Sequence, residues 1–220
     1  MRVPGAQACG APMSLLIAHL QPDRALVAVD TACRFIDGSY GHTTKLYSVP
    51  HIGAVIAARG AAGFLVSMVI GAVGVAQSFE QAREGVERGF AELLAMFQRM
   101  ASEQGSAAQM VIDGRQELLL VGWSQNLGRM AAATFCKAAG ESLLVVDDLD
   151  AGDCIFAPGD MPDWMPDPDT ADHAISAARY QVENWQGAAA GDPVGGDLIV
   201  AQMARNSITI TRHHAFAGAI

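Results

Sequence analysis

Four residues in the first third of the chain have types and spacing that could do chemistry together. Ser14 follows Met13 and opens an apolar run. Asp30 ends a second apolar run that begins at Ala25. Lys45 comes after a polar turn, and Gly60 breaks a third apolar run, Ile52–Ala58. As chemistry, these are a hydroxyl nucleophile, a carboxylate, an ammonium and a glycine whose backbone N–H can face a ligand. They act together only if strands bring them to one place.

The pattern supplies such strands. Ser14–His19 alternates loosely and is predicted to pair with Ala25–Asp30 across the turn Gln21-Pro22-Asp23-Arg24. Lys45–Val49 and Ile52–Ala58 form a second predicted pair across Pro50-His51. From Ala61 to about Val75 the pattern is helical and apolar nearly all round, which predicts a buried helix. Ser78 with Gln81 reads as a capping box before a helix over Phe79–Met100. Strands are predicted at Gln109–Ile112, Glu117–Trp123, Arg129–Phe135 and Ser142–Val146, with turns at Asp113-Gly114 and Asn126-Leu127-Gly128. Thr170–Gln186 reads as a helix with Ile175, Ala178, Val182 and Trp185 on its apolar face. Leu198–Met203 and Ser207–Thr211 close the chain as a hairpin. Two stacked antiparallel sheets with helices outside them would bury every apolar face in this order.

Composition bounds the class. Apolar residues make up 51% and charged residues 17%, so a sizeable core is available and disorder is excluded. The net charge of −9 argues against a nucleic-acid surface. Cys9, Cys33, Cys136 and Cys154 show no C-x-x-C spacing, which leaves free thiols in a reducing, cytoplasmic setting. The first twelve residues lack the apolar core of a secretory signal. Ile52–Gln77 resembles a membrane span in apolarity, but Arg59 interrupts it and Gly60, Gly63, Gly71 and Gly74 break it. A charge near the middle of a span costs roughly 2.5–3.5 kcal/mol, so a strand, a turn and a helix are expected instead, with no membrane partner.

No cofactor or metal is expected. Gly60-Ala61-Ala62-Gly63 is too short to cradle a phosphate. His213 and His214 are neighbours on a strand and point to opposite faces, and His19 reads as a strand histidine. Prolines between Asp163, Asp167 and Asp169 disfavour a calcium loop. Met161 and Met165, with Trp164, suggest an apolar lid or a subunit contact.

The ordered set resembles the proteasome β-subunit family of N-terminal-nucleophile (Ntn) hydrolases over most of residues 14–212. Ser14 stands at the family's nucleophile, and Ala28-Val29-Asp30 at its apolar-Ala-apolar-Asp motif. Lys45-Leu46-Tyr47 ahead of Pro50 matches its lysine segment, Gly60 its strand-ending glycine, and Asp192-Pro193-Val194-Gly195-Gly196 its late aspartate and glycine-rich turn. Three positions depart. Ala32 stands where the family usually has arginine, Gly195 where it has serine, and Ala157-Pro158-Gly159-Asp160 replaces a Gly-Ser-Gly turn.

The resemblance implies an α+β fold, a four-layer αββα sandwich of two antiparallel sheets flanked by helices. It implies attack by Ser14, with its own α-amine as base. Lys45 would lower the nucleophile's pKa, Asp30 would hold Lys45, the Gly60 N–H would take the oxyanion, and Asp192 would orient the amine. The implied substrate is a peptide or small amide, and the implied partners are further copies in a homo-oligomeric ring and an ATPase. Cys33, Ala57, Ala58 and Arg59 would line the pocket, with Arg59 attracting an acidic side chain. The mechanism needs a free amine on Ser14. Residues 1–13 are therefore expected to be a short extension, either a removed propeptide or the product of a mis-assigned start, with translation beginning at Met13 and that methionine then cleaved. Residues 14–220 would be a single domain. A competing reading follows from the departures: a catalytically inactive scaffold or ring-forming subunit.

Overall fold

A computed structural model describes residues 14–35, 39–104, 106–184 and 194–216. Its elements run β1 (Leu16–Leu20), β2 (Arg24–Asp30), β3 (Ala32–Arg34), β4 (Tyr40–His42), β5 (Leu46–Val49) and β6 (Ala54–Arg59), then α1 (Ala62–Met68), α2 (Phe79–Gln104) and α3 (Ser106–Asp113). They continue with β7 (Gln116–Ser124), β8 (Arg129–Lys137), β9 (Leu144–Leu149), β10 (Cys154–Ala157), α4 (Ala171–Asn184), β11 (Leu198–Ala204) and β12 (Ser207–His213). The organisation is α+β. One five-stranded sheet has the order β10-β1-β2-β11-β12, the other β5-β6-β7-β8-β9, and every pairing is antiparallel. A short β3-β4 ribbon stands apart.

Strand alternation explains how the sheets are covered, because successive side chains point to opposite faces. From β1 and β2, Leu16, Ala18, Val27 and Val29 share one apolar cluster with Val55 and Ala57 of β6 and Leu119 and Val121 of β7. The intervening Ile17, Leu26 and Ala28 join Ala174, Ala177 and Ala178 of α4. On the other sheet, Ile56, Leu118, Leu120 and Ala133 pack with Phe64 and Leu65 of α1 and with Val86 and Phe90 of α2. The Phe64 and Phe90 rings meet edge to face, with centroids 4.7 Å apart. Both sheets are therefore apolar on both faces, and each fully buried Leu or Phe adds about 1.5–3 kcal/mol.

Several expectations change. Gln109–Ile112 lies in α3, not in a strand. Its run of three apolar residues fits either period, and here it continues the helical region that α2 begins. The turn at Asp113-Gly114 accordingly joins a helix to β7. Strand β10, which reading the pattern missed, pairs with β1 along its whole length. The segment after Gly60 is helical, with α1 running into a π-helical turn at Val69–Val73, but it is not buried all round. Phe64, Leu65 and Met68 are covered, whereas Ile70 is 70% and Val75 69% exposed. In α4 the covered face is Ala174, Ala177, Ala178 and Gln181, while Ile175 and Val182 are half-buried and Trp185 lies outside the described residues. Met161 and Met165 belong to the cluster beneath α4 and form no lid, while Trp164 remains exposed against Tyr180.

The caps hold as expected. Gln81 N–H donates to Ser78 Oγ at 3.2 Å and His173 N–H to Thr170 Oγ1 at 3.2 Å. The Gln81 side chain reaches back to the Gln77 N–H rather than to Ser78 itself. No helix among the described residues is long and apolar enough to cross a membrane.

Candidate active site

Each sheet delivers part of the site to one end of the molecule. In the first sheet, Leu16 pairs with Val29, which leaves Ser14 and Leu15 beside the end of β2. The Leu15 N–H donates to Asp30 Oδ1 at 2.9 Å. In the second sheet, Leu46 pairs with Ala57, and the Ala58 N–H extends that ladder to the Lys45 carbonyl at 2.9 Å. Lys45 therefore leaves the end of β5 in a fixed direction.

The two ends meet through Lys45. Its Nζ donates to Asp30 Oδ1 at 2.7 Å and to Ser14 Oγ at 3.0 Å. Asp30 is 0% exposed, Lys45 6% and Ser14 8%. The second carboxylate oxygen, Oδ2, accepts the Gly195 N–H at 3.1 Å. Complete burial pushes the Asp30 carboxyl above the usual aspartate range, and the Lys45 ammonium, its hydrogen bond and the Leu15 and Gly195 N–H groups pull it back. A buried pair of this kind is poor evidence for stability, since desolvation offsets most of the attraction.

A second charged group grips the same serine from the other side. The Nε–H of Arg59, at the end of β6, donates to the Ser14 carbonyl at 2.7 Å. Its guanidinium also donates to Glu117 Oε2 at 2.9 Å, and Arg115 donates to the same oxygen at 3.2 Å. All three side chains are buried. Arg59 and Glu117 are register partners across β6 and β7, which accounts for the contact. Desolvation pushes Arg59 down from its ordinary value and Glu117 opposes this. Arg59 therefore does not line an open pocket for acidic side chains. Ala57 and Ala58 are likewise packed in the two clusters that flank the second sheet. Of the expected pocket residues only Cys33 is half-buried.

Gly60 follows Arg59 with φ +120°. A Cβ there would lie 2.6 Å from the Arg115 carbonyl and 2.5 Å from Gln116 Oε1, so only glycine fits. Gln116 Oε1 accepts the Ala61 N–H at 2.9 Å and holds the turn that leads into α1. Asp192 lies outside the described residues.

No protein-family model matches the sequence, and no curated protein is similar to it in sequence. The fold is similar to that of a Gly-1 mutant of Anbu from Hyphomicrobium sp. strain MC1, with a TM-score of 0.56. The two chains are 12% identical over 94% of this chain and 90% of that one. This likeness is one of fold.

Two features of the site escaped the sequence. The Arg59 clamp has only a weak signal, an arginine inside an otherwise apolar strand. The other is a network behind Asp30. Thr31 Oγ1 accepts the Asp197 N–H at 2.9 Å and bonds His42 Nδ1 at 2.9 Å. It ties β4 to the turn that carries Gly195 and Gly196. Two surface grooves, of about 600 and 960 Å³, lie along α1 and α2 and beside Pro50–Gly53, and neither includes Ser14, Asp30 or Lys45. Hydrogen bonds from Lys45 hold Ser14 and Asp30 together.

Proposed function

We propose that this chain is a proteasome-like Ntn hydrolase that cleaves peptide or related amide bonds with Ser14 as nucleophile. The observation that carries the reading is the Lys45 ammonium, 3.0 Å from Ser14 Oγ and 2.7 Å from Asp30 in a buried setting. On this reading the layers form the four-layer αββα sandwich of that family. The free α-amine of Ser14 takes the hydroxyl proton as Oγ attacks the carbonyl carbon, then passes it to the departing amine. Lys45 stabilises the developing negative charge on Oγ, and Asp30 holds Lys45. The Gly60 N–H stabilises the oxyanion, a contribution of about 2.7–4 kcal/mol for one such donor. Asp192 orients the α-amine. Arg59 fixes the Ser14 carbonyl, so the nucleophile's main chain does not shift during attack.

The mechanism requires release of residues 1–13, and a homo-oligomeric ring with an ATPase partner in the cytoplasm is the assembly it fits. Intact mass of the native protein should start at Ser14, and an amide-directed electrophile should label that residue once per chain. Ser14→Ala and Lys45→Ala should each abolish peptide hydrolysis with the fold retained. Full turnover in both variants would overturn the site.

A second reading keeps the same fold as an inactive ring-forming scaffold. Gly195 favours it, because its N–H binds Asp30 but it has no side-chain hydroxyl to offer the nucleophile. Native chains that retain Met13 and take no label would establish it.

A further inference from the structure

A second cluster of chemically able side chains lies at the other end of β1. His19 is five residues beyond Ser14, roughly 16 Å away at about 3.3 Å per strand residue. It is the register partner of Cys154 across β1 and β10, so the two side chains share one face of the sheet. Both are buried, at 6% and 2% exposure. Asp167 reaches the same point from the segment between β10 and α4. One ligand atom from each of His19, Cys154 and Asp167 lies within 4.8 Å of the other two, and theirs is the one such trio among the described residues.

The surroundings match what a metal-binding histidine needs. His19 Nδ1 is paired with Asp169 Oδ1 at 2.7 Å. A ligating histidine usually gives its other ring N–H to a carboxylate, which fixes the tautomer and leaves the remaining nitrogen to bind. Asp169 is itself held, because its Oδ1 accepts Gln21 Nε2 at 2.6 Å and its N–H donates to the Asp167 carbonyl at 2.8 Å. One tight turn thus sets both carboxylates, one toward the histidine ring and one toward the trio. Imidazole, thiolate and carboxylate together are a donor set for zinc and similar borderline cations, not for calcium or magnesium. Bonds of about 2.0–2.3 Å in a tetrahedral site put ligand atoms roughly 3.3–3.8 Å apart. The trio therefore closes on a cation with movements smaller than a bond length.

We propose that His19, Cys154 and Asp167 bind a zinc-class divalent cation, with Asp169 orienting the His19 ring and water completing the coordination. The cation pins the segment between β10 and α4 to the edge of the first sheet. It is separate from hydrolysis, so Ser14→Ala should bind metal as the parent does.

Cobalt and zinc titrations of the full-length, chelator-treated protein test this. Cobalt should bind at one equivalent per chain with thiolate-to-cobalt absorption in the near ultraviolet. That band should vanish in Cys154→Ser and persist in Cys33→Ser and Cys136→Ser. Asp169→Asn should weaken zinc binding about 10–100-fold, as loss of an outer-shell partner does. Zinc should raise the thermal midpoint of the parent and not that of His19→Gln. Absence of the band at saturating cobalt, or its survival in Cys154→Ser, overturns the proposal. Where Cys154→Ser does not fold, Asp167→Asn decides, since its side chain is exposed, and zinc affinity equal to the parent's overturns the proposal.

Discussion

Asp30 and Asp197 sit one step apart across the β2–β11 ladder, where Leu198 pairs with Asp30, yet their surroundings differ. Asp30 is wholly buried and faces one ammonium and two backbone N–H groups. Asp197 meets Arg212 and His214, whose side chains are 60% and 87% exposed. Burial drives Asp30 up, whereas hydrogen bonds from Arg212 and then His214 hold Asp197 below the usual aspartate range. A carboxylate that partners exposed surface cations serves the fold cheaply. One held against its own desolvation beside a hydroxyl and an ammonium has no comparable structural return, and this asymmetry supports the chemistry proposed for Ser14.

The largest effect should come from separating charge from shape at Asp30. Lys45→Met leaves the carboxylate buried without its cation, and breaking one side of such a pair costs about 3–5 kcal/mol. Activity should disappear, and denaturant unfolding should show the loss. The double variant Asp30→Asn with Lys45→Met should recover much of the stability and none of the activity; recovery of activity would remove Asp30 and Lys45 from the mechanism.

Gly60→Ala should come next. The added Cβ meets the Arg115 carbonyl at 2.6 Å in a backbone region disfavoured for side chains. A loss above roughly 1 kcal/mol is expected, measurable as a lower thermal midpoint, together with lower turnover. A variant as stable and active as the parent would show that the turn tolerates a side chain and is not held tightly at the site.

Arg59→Gln should lower kcat more than it raises KM, because it releases the Ser14 carbonyl while Arg115 still partners Glu117. A change confined to KM would instead return Arg59 to a substrate-contact role.

The smallest effect sharpens the comparison most, as the two aspartates should give opposite pH slopes. The folded-state pKa of Asp30 is raised, so the folded chain holds the proton more tightly than the unfolded chain. Its contribution to stability therefore falls as pH rises from the unfolded value, about 3.9, through the folded value. The pKa of Asp197 is lowered, so its contribution is present above about 3.9 and is lost as pH falls through its folded value. Asp30→Asn should remove the first slope and Asp197→Asn the second in denaturation series run across pH. Equal slopes in both variants would undo the contrast. The acid limb of the rate profile should likewise lie above the ordinary aspartate range.

Much of this architecture was readable from residue order. The β1–β2 and β5–β6 hairpins carry turn residues between apolar runs, and Ser78 and Thr170 mark helix starts, because local backbone preference settles such features. Val111 and Ile112 were not readable as helix, since a short β-branched run has no period of its own. Strand β10 was hidden for the same reason: four residues before a proline show no pattern until β1 lies beside them.

The sequence by itself determined which groups exist and which strand ends they occupy: Ser14 before β1, Asp30 closing β2, Lys45 before β5 and Gly60 after β6. The tertiary structure alone decided that Lys45 reaches Asp30 and Ser14 together, that Arg59 turns from an apparent pocket residue into a clamp on Ser14, and that His19 meets Cys154. Each is a contact between segments far apart in the chain or lying in different sheets. Strand register and sheet stacking set such distances, and no local propensity encodes them.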